Sequence, residues 1–353
     1  MVSSRRTKSI VKKNITLYYG PMHFVKPNPA VRGGDSDAGA GLCDGGPFVL
    51  AHLSDPHLSP LPGVHPRDLL NKRLLGYFSW YRRRRHIHCP HVLDALLNDL
   101  AQAAPDHVAI TGDLTNLGLP DEFRQAARWL ERVGSPARVM VVPGNHECYV
   151  AAPWRETFGR WADYLAGDGA VADGVYPRLR VRGGVALIGL STARPSLPFM
   201  AVGSLGKEQL DRLEDLLEQT GRRGLLRVVL LHHPPVPGSI AWRKRLTDAS
   251  GFAAVIGRQG AELILHGHAH VSMERELVAG TVPVFGVSSS SSSSSQSAPL
   301  RTASYTLYRF RRRGDVWEVL LSVRIYSHRE SRFVLARERE LLLPAPAIGR
   351  TAG

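Results

Sequence analysis

Five short segments place metal-competent side chains directly after apolar runs: Asp55-Pro56-His57, Gly112-Asp113, Gly144-Asn145-His146-Glu147, His232-His233-Pro234-Pro235 and Gly267-His268-Ala269-His270. In α/β folds, ligands and catalytic groups gather at the carboxyl ends of strands. Ordinary turn chemistry would put Gly, Asn or Asp there, so histidine at four of these five ends calls for another explanation. Each segment alone is bland. Asp-x-His can cap a helix, Gly-Asp is a common turn, and an adjacent His pair is more often structural than a ligand. Together, in this order, they offer carboxylate, imidazole and amide donors. That mixture suits borderline divalent metals such as Fe, Mn or Zn better than Cu(I) or Ca.

The elements that must position these residues alternate between strand and helix signals. "PFVLAHLS", "HVAIT" and "RVMVV" read as strands, with "HVLDALLNDLAQA" and "DEFRQAARWLERV" as helices between them. "VALIGLS", "RVVLL" and "ELILH" follow as strands, separated by the helical patterns "KEQLDRLEDLLEQ" and "SGFAAVIGR". After residue 270 the pattern becomes β-rich: "VSMERELV", "TVPVFGV", "ASYTLYRF" and "VWEVLLSVRIY". Sheets with helices outside, in one domain of about 300 residues, are expected.

Composition narrows the class. The 353 residues are 43% hydrophobic and 22% charged, which excludes a chain disordered throughout. No apolar run approaches the roughly 18 residues that span a bilayer. Cys43, Cys89 and Cys148 form no C-x-x-C pair, so a reducing compartment and a cytoplasmic location are expected. Lys and Arg outnumber Asp and Glu by 45 to 31, a net charge of +14 that implies attraction to anions or a solvated basic surface. Kinase and serine-hydrolase readings lose their simplest support. Gly206-Lys207 is followed by Glu208 rather than Ser or Thr, Ser191 sits in "GLSTA", and no G-x-G-x-x-G follows a strand.

The ordered blocks D-x-H, GD, GNH[DE], H and GHxH resemble the calcineurin-like metallophosphoesterase superfamily over roughly residues 47–330, with the "HHPP" block most similar to bacterial class III cyclic nucleotide phosphodiesterases. The resemblance implies a four-layer α-β-β-α sandwich of two mixed sheets flanked by helices, the metallo-dependent phosphatase fold. It also implies two divalent metal ions. Asp55, His57 and His270 would bind one; Asn145, His232 and His268 would bind the other; Asp113 would bridge them. Seven such donors are too many for one tetrahedral ion and suit two ions that clamp the oxygens of a phosphoryl transfer. A hydroxide bridging them would be the nucleophile. His146 resembles the family's non-ligand histidine, placed to stabilise developing charge or protonate the leaving oxygen, and Glu147 would support it or the neighbouring loop. Pro234 satisfies the His-x-Pro spacing for His232; His233 would support it or face substrate, and His52 and His266 read as structural.

The domain is expected over 47–343, after a flexible extension at 1–46 without a secretory h-region and before a tail at 344–353. Two inserts stand out. Residues 66–91 carry seven Lys/Arg against one Asp, interleaved with Tyr77, Phe78, Trp80 and Tyr81; the arginines Arg82, Arg83, Arg84 and Arg85 are expected to face water, an anion or a membrane. Residues 288–300 open with eight serines and read as a mobile loop. The expected substrate is a small phosphoester, a cyclic nucleotide such as cAMP. The alternative is a membrane-surface phosphoesterase on lipid headgroups, with 66–91 as peripheral contact to anionic membrane. A nuclease reading rests on net charge alone, since no nucleic-acid module appears.

Overall fold

Strands alternate their side chains between two faces, and here both faces of the central strands are apolar. In β1 (Phe48–Leu53), Phe48 and Leu50 point into one core while Ala51 and Leu53 point into another. The same division recurs in β6 (Leu226–Leu230), where Val228 and Leu230 oppose Val229. A strand buried on both faces must be covered on both, which produces layers. The computed structural model describes residues 46–169, 174–278, 280–293 and 299–346, all within a compact unit that begins at residue 45.

The first sheet joins β1 in parallel to β2 (His107–Ile110) and β3 (Val139–Val141), and extends on the other side of β1 through the antiparallel strands β10 (Ser304–Arg313), β11 (Val316–Ser327) and β12 (Arg332–Pro344). The second contains β4 (Arg178–Arg182), β5 (Val185–Gly189), β6, β7 (Leu263–His266), β8 (Met273–Leu277) and β9 (Val282–Gly286), in the order β4-β5-β6-β7-β9-β8. The sheets pack face to face through Leu50, Met140, Leu187, Val228, Leu265 and Phe310. Of the helices α1 (Arg73–Ser79), α2 (Arg85–Ile87), α3 (Pro90–Ala103), α4 (Pro120–Val133), α5 (Ala162–Leu165), α6 (Lys207–Arg222) and α7 (Ala249–Gln259), α3 and α4 cover the first sheet with Leu96, Leu100, Phe123 and Leu130. Helices α6 and α7 cover the second with Leu213, Leu217, Phe252 and Ile256. Each such buried side chain contributes about 1.5–3 kcal/mol. The arrangement is the expected four-layer α-β-β-α sandwich. Two strands were not foreseen, β4 and β12.

Two expectations about the inserts are corrected. The serine run is not a mobile loop over its described part: Ser288 to Ser292 are buried and hydrogen-bonded into the body, because their hydroxyls complete loops that follow β1 and α2. The four arginines do not all face outward. Arg84 turns its guanidinium onto His146, because the π-helical stretch Trp80–Arg84 rotates that side chain inward, whereas Arg82, Arg83 and Arg85 are exposed. The extension over residues 1–45, Ser294 to Ser297 and the tail from 347 lie outside the described residues. Among the described residues, no helix is long and apolar enough to cross a membrane.

Candidate metal centre

The five motif loops follow β1, β2, β3, β6 and β7, whose carboxyl ends come together across the two sheets. Their backbones are locked to one another: Asp55 N–H donates to Gly112 O at 2.9 Å, His57 N–H to Asp113 O at 3.0 Å and Gly267 N–H to His232 O at 3.1 Å. Asp55, His57, Asp113, His268 and His270 all have positive φ, between 38° and 64°. Such left-handed backbone costs of order 1–3 kcal/mol per non-glycine residue and persists only where the surroundings over-determine it. Clustering of that strain on five adjacent polar side chains marks a functional site. Gly112 is required by both criteria. Its φ is +92°, and a Cβ there would lie 2.6 Å from the Gly144 amide nitrogen.

The structure brings the seven predicted ligands together in two groups that share one carboxylate. Asp55, His57, Asp113 and His270 form one group; Asp113, His232 and His268 form the other. Asn145 Oδ1 joins the second, 3.1 Å from His232 Nε2. The imidazoles are fixed through their outer nitrogens, which face backbone carbonyls: His57 Nδ1 to Thr115 O at 3.0 Å, His232 Nδ1 to Thr111 O at 2.6 Å and His268 Nε2 to Lys244 O at 3.1 Å. Donation of those N–H groups leaves bare lone pairs on His57 Nε2 and His268 Nδ1, the tautomers a cation needs, and turns His232 Nε2 toward Asp113. Within the first group, Asp55 Oδ1 is buried without a hydrogen bond, 3.1 Å from His270 Nε2. His57 Nε2 lies 3.1 Å from that same His270 nitrogen. Acceptors converging in two adjoining groups that share Asp113 fit two divalent cations.

The electrostatics agree. Burial pushes His57 and His268 well below the ordinary imidazole value, and neighbouring imidazoles push them the same way, so both stay neutral. Burial raises the Asp113 carboxyl, but His232 and His146 outweigh it and hold it well below the carboxylate range. Burial opposes a charge on His232, yet the Asp113 carboxylate 3.3 Å away raises it to about 9, so without a cation its Nε2 keeps a proton facing Asp113 that a bound ion displaces.

Around this cluster, His146 is not grouped with either ligand set. Its Nδ1 faces Asn116 O at 2.5 Å, which leaves Nε2 4.0 Å from Asp113 Oδ2 and 3.3 Å from Arg84 Nη1. Burial lowers its pKa to about 3; Asp113 opposes that and Arg84 reinforces it. Glu147 is the clamp between loops, accepting from Asp113 N–H, Thr115 N–H and Gly144 N–H at 2.8–2.9 Å. Burial pushes its carboxyl up to about 7, with Asp113 adding to the rise. His233 faces away, between Thr192 Oγ1 at 2.7 Å and Ala201 O at 3.3 Å, and packs tilted against the His268 ring. His52 and His266 lie buried on strands, held by Thr111 Oγ1 and Gly267 O, with pKa values lowered by burial to about 3 and about 4.

Sequence reasoning missed Arg84 and His88, both from the 66–91 insert. His88 joins His57 and His270 in a third group of candidate ligands. The local signal was "RRRRHIHCPH", read only for its charge.

Relatives and solved structures agree with this architecture. A cAMP/cGMP dual specificity phosphodiesterase of Mycobacterium tuberculosis is 28% identical over 243 residues, covering 67% of this chain and 66% of that protein. A protein of Rhodococcus erythropolis named "Probable cyclic nucleotide phosphodiesterase" is 32% identical over 230 residues, covering 63% of this chain and 65% of that one. The chain thus spans just under two thirds of the length of these curated relatives. A dimetal phosphatase from Danio rerio shares the fold at TM-score 0.55 and 14% identity, covering 84% of this chain and 99% of its own. Residues 48–272 match the model of the calcineurin-like phosphoesterase family, and with its five loops converging at one end of the paired sheets the chain belongs to that family.

Proposed function

We propose that the protein hydrolyses a phosphodiester of a cyclic nucleotide such as cAMP. The observation that carries the reading is Asp113, shared by two ligand groups, with His146 Nε2 4.0 Å from its Oδ2. When bound, two divalent ions (Mn, Fe or Zn) supply Lewis acidity to the phosphoryl oxygens and an acidified water. The chain's own residues do the rest. Arg84 holds a permanent positive charge beside His146, where the non-bridging oxygens gain negative charge. The His146 ring, fixed by Asn116 O, turns Nε2 toward that space, where the negative charge of a bound phosphoester would favour the protonated ring that can give its proton to the leaving oxygen. A cleft of about 300 Å³ lined by Arg194, Leu197, Met200 and Trp242 adjoins the segment whose Lys244 carbonyl holds His268, and it offers an aromatic face to a purine.

The test is a screen of Mn-loaded protein against cyclic nucleotides, phosphomonoesters, glycerophosphodiesters and bis(p-nitrophenyl) phosphate. Preferential turnover of cAMP, with a KM raised by Trp242→Ala for cAMP alone, is the expected result. Activity confined to phosphomonoesters would overturn it.

A second reading draws on the rim. Leu70, Phe78, Leu197, Phe199 and Trp242 are 85%, 55%, 76%, 81% and 67% exposed. Lys72 Nζ ties the insert to the 196–200 loop through Ser196 O at 3.0 Å and Met200 O at 3.1 Å, so the apolar residues of both border one edge. Arg82, Arg83 and Arg85 stand exposed beside them, a charge pattern complementary to an anionic bilayer. We propose that this rim rests on such a surface from the cytoplasmic side. Each arginine contributes about 1 kcal/mol, screened by salt. Co-sedimentation with phosphatidylserine vesicles at low salt, lost on changing the three arginines to Gln, is expected; no binding by wild type would refute it.

A further inference from the structure

The basic insert and the serine run, unrelated in sequence, meet at His88. The backbones pair there: His88 bridges Ser292, Cys89 N–H donates to Ser291 O at 3.0 Å, and Ser293 N–H to Ile87 O at 2.8 Å. The side chain is 2% exposed. Its Nδ1 is held by Ser291 Oγ at 2.8 Å, with Ser289 Oγ at 3.4 Å. Ser289 Oγ in turn donates to Asp55 O at 2.6 Å, and Ser290 N–H to Ser54 O at 3.0 Å. The serines therefore stitch the end of the insert to the first ligand loop. With Nδ1–H given to the Ser291 hydroxyl, the imidazole presents Nε2 as a bare acceptor. The His88 ring centre lies 4.6 Å from that of His57 and 5.8 Å from that of His270. One ligand nitrogen from each of the three falls within 4.8 Å of the others. Two ligands on one ion with bonds of about 2.1 Å stand at most about 4.2 Å apart, so a shift of a few tenths of an ångström brings these three imidazoles onto one ion. Asp55 and Asp113, grouped with His57 and His270 but not with His88, require a larger closure around the bound ion.

We infer that His88 is an additional ligand of the ion held by Asp55, His57, Asp113 and His270, delivered by the insert and oriented by Ser291. The assignment rests on the dinuclear reading above. It raises that ion from four protein donors to five, away from tetrahedral zinc and toward the higher coordination favoured by Mn or Fe.

Metal-free protein titrated with Co²⁺ tests it, read by binding affinity and by visible absorption, which intensifies as coordination number falls. Wild type is expected to take up two ions. His88→Gln keeps that stoichiometry, weakens one ion about 10–100-fold and strengthens the absorption of the same ion. Ser291→Ala leaves the imidazole and the fold in place but removes its orienting hydroxyl; a loss of about 10-fold in the same ion's affinity is expected. Unchanged affinity and spectrum in both variants would overturn the assignment while leaving two bound ions intact. Failure of wild type to bind Co²⁺ would instead sink the dinuclear reading, and this one with it.

Discussion

The strand-end loops and the 66–91 insert frame the same centre but are held by different means. The loops are locked by main-chain hydrogen bonds, by the Glu147 clamp and by left-handed backbone at five candidate ligands. The insert has no place in either sheet. Apart from a short main-chain pairing of residues 87–89 with the serine run at its end, it is tethered by side chains: Lys72 to the 196–200 loop, Arg73 to Leu117 O at 2.9 Å and Gly118 O at 2.6 Å, Arg84 to His146, and His88 to the serines. A backbone-locked cradle fixes ligand geometry to tenths of an ångström. A side-chain-tethered cover can be loosened one contact at a time, and it leaves Leu70, Leu74 and Phe78 more than half exposed. The loops define the reaction, and the insert can tune it.

The largest effect that separates the two regions is expected from Asp113→Ala. It removes the one carboxylate common to both ligand groups, and with it the acceptor of the His146 N–H at 2.8 Å. Tight binding of both ions should be lost, measured as metal content after gel filtration, and turnover should fall by at least about 10³-fold. Two retained ions would break the distinction, since the cradle would then not depend on its shared ligand. His146→Ala comes next: metals retained, with turnover down by roughly 10²–10³-fold. That loss should shrink for esters with good leaving groups, which need little protonation, and an equal loss for every leaving group would assign His146 to positioning. The smallest effect is Arg73→Ala. The side chain is 8% exposed and makes two charged bonds to carbonyls, each contributing about 1.5–3 kcal/mol. Proteolysis within 66–89 should quicken while metal content is unchanged. An insert that stays resistant would mean the cover is as rigid as the cradle.

The cradle was legible in the sequence because its residues are local punctuation: each ligand sits a few positions after an apolar run whose direction is fixed by the sheet. The layers were legible for the same reason. Strand β4 was not, because Arg178, Arg180 and Arg182 alternate with Leu179 and Val181 as if the arginines faced water. Arg180 is instead buried, donating to Ala166 O at 2.8 Å and Val139 O at 2.8 Å. Strand β12 was hidden by "ARERE", a charged edge strand that pairs with β11 on one side only. Arg84 and His88 were invisible for a different reason. Which members of "RRRRHIHC" turn inward depends on a π-helical stretch and on contacts more than 200 residues away in sequence, and neither leaves a local pattern.

Homopolymers are usually treated as filler, tolerant of any change in length. Here identical side chains hold different posts: Ser288 binds Thr302 O, Ser289 binds Asp55 O and Ser291 binds His88, while Ser290 Oγ is buried without a partner. Position, not identity, distinguishes them. Inserting or deleting one serine would refill each of these posts with an identical side chain and pass the change in length to the far end of the run, whereas replacing a single serine would remove one of these contacts.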